Sequence, residues 1–129
     1  MVTNGGGDDL DTGTVAGRGG PWHRWDDVAE REPFPGVHFR PVAGEATMAC
    51  RVWLEPGSVV MAHAHPHEQI SVVLEGEMEF TLGEDTRTVG PGEVVVIAGG
   101  TTHAVIAGPA GASVIDIFSP PRQDYLDMA

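Results

Sequence analysis

Four side chains in this sequence have the types and the spacing of a metal site. His63 and His65 lie two positions apart in a segment with an extended pattern, so their imidazoles leave the same side of the chain. Gln69 follows in the next strand-like run, and His103 opens a strand further along. Three imidazoles and an amide oxygen can converge on one divalent cation if the hairpins between them fold the chain back. We therefore predict a metal site at His63, His65, Gln69 and His103.

The alternative interpretation is that the histidines of this segment form a solvated polar turn. The apolar run 59–62 leads straight into them and favours the metal site, because isolated imidazoles on an apolar face need partners. Gln69 could instead hydrogen-bond a backbone carbonyl and leave three histidine ligands. If it does ligate, the neutral amide leaves the cation its full charge, which favours Lewis-acid chemistry over oxygenation. Zinc is the metal we expect first, with nickel, iron(II) and manganese as alternatives.

Two further polar residues are predicted to be catalytic on their position alone. Asp116 shares a strand face with Val114 and Phe118, where an acid is costly unless it is paired or functional. His67 is two positions after His65, so in an extended strand its side chain would face the same side as those of the two preceding histidines. Pro66 makes this direction uncertain. His67 is therefore expected either to support the site from outside the ligand set or to be an alternative fourth ligand.

The elements that position these residues are short strands. Between residues 37 and 118, β-rich runs alternate with turn signals such as Pro56-Gly57 and Gly99-Gly100. The predicted strands are 37–40, 47–54, 59–63, 70–74, 78–82, 87–89, 94–97, 103–106 and 113–118. No amphipathic helix interrupts them, so the sequence predicts an all-β antiparallel sandwich or barrel.

The N-terminal segment differs in composition from the rest of the chain. Residues 1–20 contain seven of the 18 glycines and little apolar content, and we predict a disordered tail there. Residues 21–129 are predicted to form one domain, since a chain of 129 residues supports a single core. Trp22 and Trp25 could lie in a short helix or in an arm. These rings and the sheet edges suggest a homodimer.

The charge balance limits the partners. The chain has 7 Lys+Arg against 19 Asp+Glu, a formal charge of −12. Nucleic acids and membrane surfaces are therefore not expected as partners, and a small-molecule substrate is. The sequence contains no lysine, which excludes Schiff-base chemistry on lysine. Cys50 is the single cysteine and no export signal is visible, so we expect a cytoplasmic protein.

With these residues in view, the sequence resembles the cupin superfamily. The first cupin motif is matched by Gly57, His63, His65, Gln69 and Gly76, and the second by Gly92, Gly100 and His103. The sequence departs from the usual motifs at Gln69, Ala98 and Ala107, where most cupins carry Glu, Pro and Asn. The resemblance implies a cupin double-stranded β-helix, a jelly-roll barrel, with its core at about residues 35–120 and one bound divalent metal. It does not specify the reaction.

A finer resemblance involves the C-terminal segment. Residues 64–70 and 116–126 resemble small cupins that open unsaturated uronates, in which the residues matching Asp116 and Arg122 lie at the active site. On this basis Arg122 joins Asp116 and His67 as a predicted catalytic residue. The structural alternative is an Asp116–Arg122 ion pair that holds the C-terminus in place.

The expected pocket is mostly apolar and decides the predicted reaction. Its predicted lining is Met48 or Ala49, Cys50, Val52 or Trp53, Met61, Val73, Met78, Phe80, Val105 and Phe118. A flat poly-β-ketone suits such a pocket, and the sequence also resembles cupin-type polyketide cyclases. The first expected function is therefore metal-assisted enolisation of a poly-β-ketone, followed by aldol cyclisation and dehydration. Uronate ring opening is the second, with Arg51 and Arg122 as the nearby cations. A non-catalytic cupin that binds a small ligand is the third.

Overall fold

The computed structural model describes residues 19–128, and its regular structure is almost entirely antiparallel β-strand. A 3₁₀ turn at Trp25–Asp27 precedes the strands, and the helical turn α1 (Gln123–Leu126) follows them. The strands are β1 (Arg31–Phe34), β2 (Val37–Ala43), β3 (Met48–Leu54), β4 (Val59–His63), β5 (Glu68–Leu82), β6 (Asp85–Val89), β7 (Val94–Ile97) and β8 (His103–Ser119). The tail predicted at residues 1–20 lies outside the described residues except for Gly19 and Gly20.

Two long strands, β5 and β8, connect the two halves of the barrel. Their first pairing joins the start of β5 to the end of β8, with β7 beside β5 and β3, β2 and β1 beyond β8. Their second pairing joins the end of β5 to the start of β8, with β6 and β4 at the flanks. Residues from both pairings line one interior, which is the jelly-roll arrangement that the sequence predicts.

A bend in β5 and β8 determines which residues face inward. The register shifts on both sides of Gly76, so the buried positions of β5 change from odd numbers to even ones. Gly76 has φ +75°, and a Cβ there would lie 2.0 Å from the carbonyl oxygen of Gly111. Only glycine permits this approach. The predicted breaks near residues 76 and 108 are therefore wrong, because the strands bend there and continue.

The alternating pattern fills the barrel with apolar side chains. In β2 and β3 every second residue is buried, and Phe39, Met48 and Cys50 are each at most 2% exposed. Strand β1 was not predicted, since its four residues carry no clear alternation. Trp22 is 89% exposed. Among the described residues, no helix is long and apolar enough to cross a membrane.

Candidate metal centre and active site

Three histidines from different elements converge inside the barrel. His63 ends β4, His103 begins β8, and the two are paired in register. His65 lies in the loop before β5 and is buried. One nitrogen of each ring lies within 4.8 Å of those of the other two. The predicted trio is thus brought together by strand pairing and one short loop.

The backbone fixes the orientation of all three rings. Nδ1 of His63, His65 and His103 lies 2.9, 3.1 and 2.8 Å from the carbonyl oxygen of a residue two positions away. A carbonyl only accepts, so each Nδ1 carries the proton and donates, and each Nε2 keeps a free lone pair. His103 Nε2 is buried without a hydrogen-bond partner. This is the ring orientation found for metal-binding histidines.

Electrostatics keeps the buried rings neutral. Burial lowers the pKa of His65, and the positive charge of Arg122 lowers it further. Burial also lowers the pKa of His103. Only the neutral form of an imidazole binds a metal ion, so the lowered pKa values favour binding of a metal cation over protonation of the rings.

Gln69 adds an oxygen to the nitrogen cluster. Its side chain is buried near the start of β5, and Oε1 lies 3.0 Å from His65 Nε2. With the His65 proton on Nδ1, these two atoms face each other as lone-pair donors, an arrangement that a shared cation stabilises. The donor set of three nitrogens and one neutral oxygen fits a divalent transition metal, and His67 is outside the convergent trio.

A hydrogen-bonded run, which we call the polar relay, leads from Gln69 to Asp116. Gln69 Nε2 donates to Ser71 Oγ at 3.0 Å, and Ser71 Oγ donates to Asp116 Oδ1 at 2.6 Å. Burial raises the pKa of Asp116 to about 6, although hydrogen bonds from Ser71 and Gln69 and the charge of Arg122 oppose the rise. A carboxyl group in this range can exchange a proton near neutral pH.

Arg122 lies beside the site, but its ion-pair partner is not Asp116. Its Nη2 and Nε contact both carboxylate oxygens of Asp124, at 2.7 and 3.3 Å. The guanidinium lies over the ring of Tyr125, 3.7 Å from its centroid, and Nη1 is buried without a partner. The alternative ion pair with Asp116 is therefore not formed, and the Nη1 amino group of Arg122 has no hydrogen-bond partner among the described residues.

His67 stands next to the trio without joining it. Its ring centroid is 5.5 Å from that of His65, and its Nδ1 is buried without a hydrogen-bond partner. Its carbonyl oxygen accepts a hydrogen bond from His65 Nδ1. The structure thus gives His67 a backbone part in orienting a ligand, while its predicted catalytic part stays a prediction.

Two histidines of the trio and the whole polar relay line an apolar cavity of about 60 Å³. His63, Gln69, His103 and Asp116 are among its lining residues. Predicted lining residues found there are Cys50, Val52, Met78, Phe80, Val105 and Phe118.

Several residues predicted near the pocket lie elsewhere. Met61 is 72% exposed and Trp53 is 43% exposed, so neither is a wall of the closed interior. Arg51 donates to backbone carbonyls of β3 and β8 and lines a separate groove on the outer face of the sheet. Because its strand position has the opposite parity to Cys50, its side chain leaves the barrel. Arg122 is thus the predicted nearby cation that the structure keeps beside the site.

Sequence reasoning missed Ser71 and Asp124. Ser71 is 1% exposed and lies between Gln69 and Asp116. The signal was present, since Ser71 has the parity of Gln69 and would share its face in any extended strand. Asp124 is two residues from Arg122, and local ion pairs of this kind carry no periodic signal.

The chain belongs to the cupin domain family. The family model described as a cupin domain matches residues 50–118, which include the histidine trio, Gln69, Ser71 and Asp116. The resemblance stated from the sequence motifs is thereby confirmed.

Three similar proteins extend the likeness over most of the chain. The pectin degradation protein KdgF of Dickeya dadantii is 27% identical over 82% of this chain and 91% of its own length. The structure of KdgF from a Halomonas species has a TM-score of 0.72 and 31% identity, covering 78% of this chain and 93% of that one. An RmlC-like cupin from Shewanella frigidimarina has a TM-score of 0.75 and 25% identity, covering 81% and 94%.

Proposed function

We propose that this protein is a metal-dependent isomerase that opens the ring of an unsaturated uronate and tautomerises the product. The observation that carries the proposal is the polar relay, which holds a proton-exchanging carboxyl group, Asp116, in the same cavity as His63 and His103 of the histidine trio. The likeness to two KdgF proteins, one of them known as a pectin degradation protein, supports a uronate as substrate.

The reaction is an isomerisation, so one carboxyl group can serve both of its proton transfers. A divalent ion, when bound by His63, His65, Gln69 and His103, would polarise a substrate oxygen. Asp116 as carboxylate takes the proton of the anomeric hydroxyl while the ring C–O bond breaks, which gives an aldehyde and an enolate. Asp116 then returns that proton to the carbon end of the enolate, and the enolate becomes a ketone. A pKa of about 6 suits both transfers.

Arg122 supplies the charge that an anionic substrate requires. Asp124 and the Tyr125 ring hold the guanidinium, while Nη1 has no protein acceptor. A substrate carboxylate could accept from Nη1 in a charge-assisted hydrogen bond. Such a local donor matters in a chain with a formal charge of −12, which otherwise repels anions.

Aromatic polyketide cyclisation is the second candidate, favoured by the apolar lining of the cavity. The same trio and Asp116 would enolise a β-diketone for aldol closure and loss of water. The likeness to the KdgF proteins ranks it second, since a cavity of about 60 Å³ encloses neither substrate whole. A long poly-β-ketone would have to lie mostly outside the barrel.

The test is turnover by protein loaded separately with zinc, nickel, iron(II) or manganese. We expect faster loss of the ultraviolet absorbance of an unsaturated uronate than in buffer, and a loss slower by about 10²-fold or more when Asp116 is replaced by Asn. Turnover of a poly-β-ketone surrogate alone would support the cyclase. Tight binding of the uronate without conversion by any metal form would support a non-catalytic cupin and refute the isomerase.

A further inference from the structure

We propose that Ser71 is a positioning residue of the metal site, which holds the Gln69 amide with its carbonyl oxygen toward the histidines. The proposal deepens the proposed function by naming a determinant of its metal site, but it does not depend on the substrate. Ser71 is 1% exposed and hydrogen-bonds to both Gln69 and Asp116.

Strand register places the three members of the polar relay together. Gln69 and Ser71 are two positions apart in β5 and therefore face the same side. Ser71 is directly paired with Asp116 of β8 in the antiparallel ladder. The backbone thus brings the serine hydroxyl between the amide and the carboxyl group without any loop movement.

Counting protons fixes the direction of each hydrogen bond. The Ser71 hydroxyl has one proton, and the 2.6 Å distance to Asp116 Oδ1 is that of a hydroxyl donating to a carboxylate. Ser71 Oγ can then only accept from Gln69, and only the NH₂ end of an amide donates. The amide oxygen is consequently turned away from Ser71 and toward His65 Nε2, 3.0 Å distant.

This orientation matters because the two ends of an amide have the same shape but opposite chemistry. A Gln69 side chain rotated by half a turn would present N–H donors to the cation in place of a ligand oxygen. A cupin with glutamate at this position has two equivalent oxygens and needs no such control. Ser71 is therefore a requirement specific to the glutamine of this chain.

The experiment measures metal affinity without substrate. Zinc and cobalt(II) affinities are determined by competition with a chromophoric chelator for the parent protein and for Ser71→Ala, Ser71→Thr and Ser113→Ala. Ser113 is a matched control, since it is 4% exposed in β8 and outside the relay. We expect Ser71→Ala to lower the affinity roughly 10-fold or more, Ser71→Thr to keep it within about threefold of the parent protein, and Ser113→Ala to leave it unchanged.

A double-mutant cycle shows whether Ser71 acts through Gln69. In a Gln69→Ala background, Ser71→Ala should cause no further loss of affinity. An equal loss in both backgrounds, or a Ser71→Ala affinity equal to that of Ser113→Ala, would overturn the proposal. If Ser71→Ala does not fold, Ser71→Cys has nearly the same size and only a weak donor, and it carries the same test. A Ser71-dependent metal site without uronate turnover would refute only the proposed isomerase.

Discussion

Two histidine-containing clusters in the described part of the chain have opposite chemistry. In the first, His63, His65 and His103 keep their Nε2 atoms free of protein donors, and burial lowers the pKa of the latter two. In the second, His38 lies between Glu30 and Glu55, and both its nitrogens face carboxylate oxygens. The difference shows that the neighbours of an imidazole, rather than its presence, decide between a ligand and a cation.

The second cluster is explained without a metal. The hydrogen bond to Glu55 raises the pKa of His38, the charges of Glu30 and Glu32 add to the rise, and burial opposes it. Protonated His38 donates a hydrogen bond from Nε2 to Glu55, while its Nδ1 lies 3.0 Å from a carboxylate oxygen of Glu30, within ion-pair distance. Among the described residues, no carboxylate is ion-paired with a histidine of the trio, and the free lone pairs of the three rings favour binding of a cation.

The largest expected effect comes from removing one ligand of the trio. His65→Ala should abolish binding of one equivalent of metal and reduce turnover by roughly 10³-fold or more, because the Lewis acid supplies several kcal/mol of transition-state stabilisation. Metal analysis after gel filtration, with turnover of the proposed substrate, checks this. His38→Ala is the control and should keep the metal. A His65→Ala protein that retains one full equivalent contradicts the assignment.

The second prediction separates proton transfer from metal binding. Asp116→Asn keeps the shape of the side chain but cannot take a proton, so we expect kcat to fall by about 10²–10⁴-fold. Metal content should stay near one equivalent, because Asp116 is not a ligand. Asp85→Asn, which changes an exposed carboxylate of β6, should leave kcat unchanged. An Asp116→Asn enzyme with full kcat would remove Asp116 from the reaction.

The sequence alone could predict the ligands better than the groups that support them. His63, His65, Gln69 and His103 stand at motif spacings and in strand-like runs, and the structure brings all four together. The role of Ser71 could not be derived, because it depends on the register between β5 and β8, which arises from distant pairing.

The fold shows the same limit. The sequence pattern predicted the bounds of β3 and β4 correctly to within one residue. Such a pattern is readable because the two faces of a strand in a barrel meet different surroundings. The same sequence pattern predicts a strand break at Gly76, whereas in the structure Gly76 allows β5 to bend and to approach Gly111 closely. Whether a glycine ends a strand or bends it depends on which strand lies opposite, and that information is not local.

Lowering the pH should affect the trio through its ligands. Only neutral imidazole binds a metal, so the affinity should be nearly constant above the ordinary histidine pKa of about 6.5 and fall below it. The lowered pKa values of His65 and His103 move the onset of metal release to pH values more acidic than this ordinary histidine pKa. Equilibrium dialysis against metal at a series of pH values measures this. Full metal content down to about pH 4 would argue against imidazole ligands.

The smallest expected effect concerns the stability contributed by His38. This contribution should decrease as the pH rises, whereas the metal affinity of the trio should increase. Because the folded pKa of His38 is raised, its ion pairs stabilise the fold fully below the unfolded pKa of 6.5, and the stabilisation is lost as the pH rises through the folded value. His38→Gln should therefore lower the free energy of unfolding by about 0.5–1 kcal/mol at acidic pH and by less at alkaline pH. Urea denaturation of the metal-free protein at both pH values measures the difference.

His23→Gln is the control for this measurement, since the side chain of His23 hydrogen-bonds the carbonyl oxygen of Gly20 and forms no ion pair among the described residues. Its effect on unfolding should be the same at both pH values. If His38→Gln also has equal effects at both, its contribution comes from packing rather than from charge. The contrast between a protonated histidine held by carboxylates and a neutral trio that binds a cation would then lose the electrostatic evidence that comes from His38.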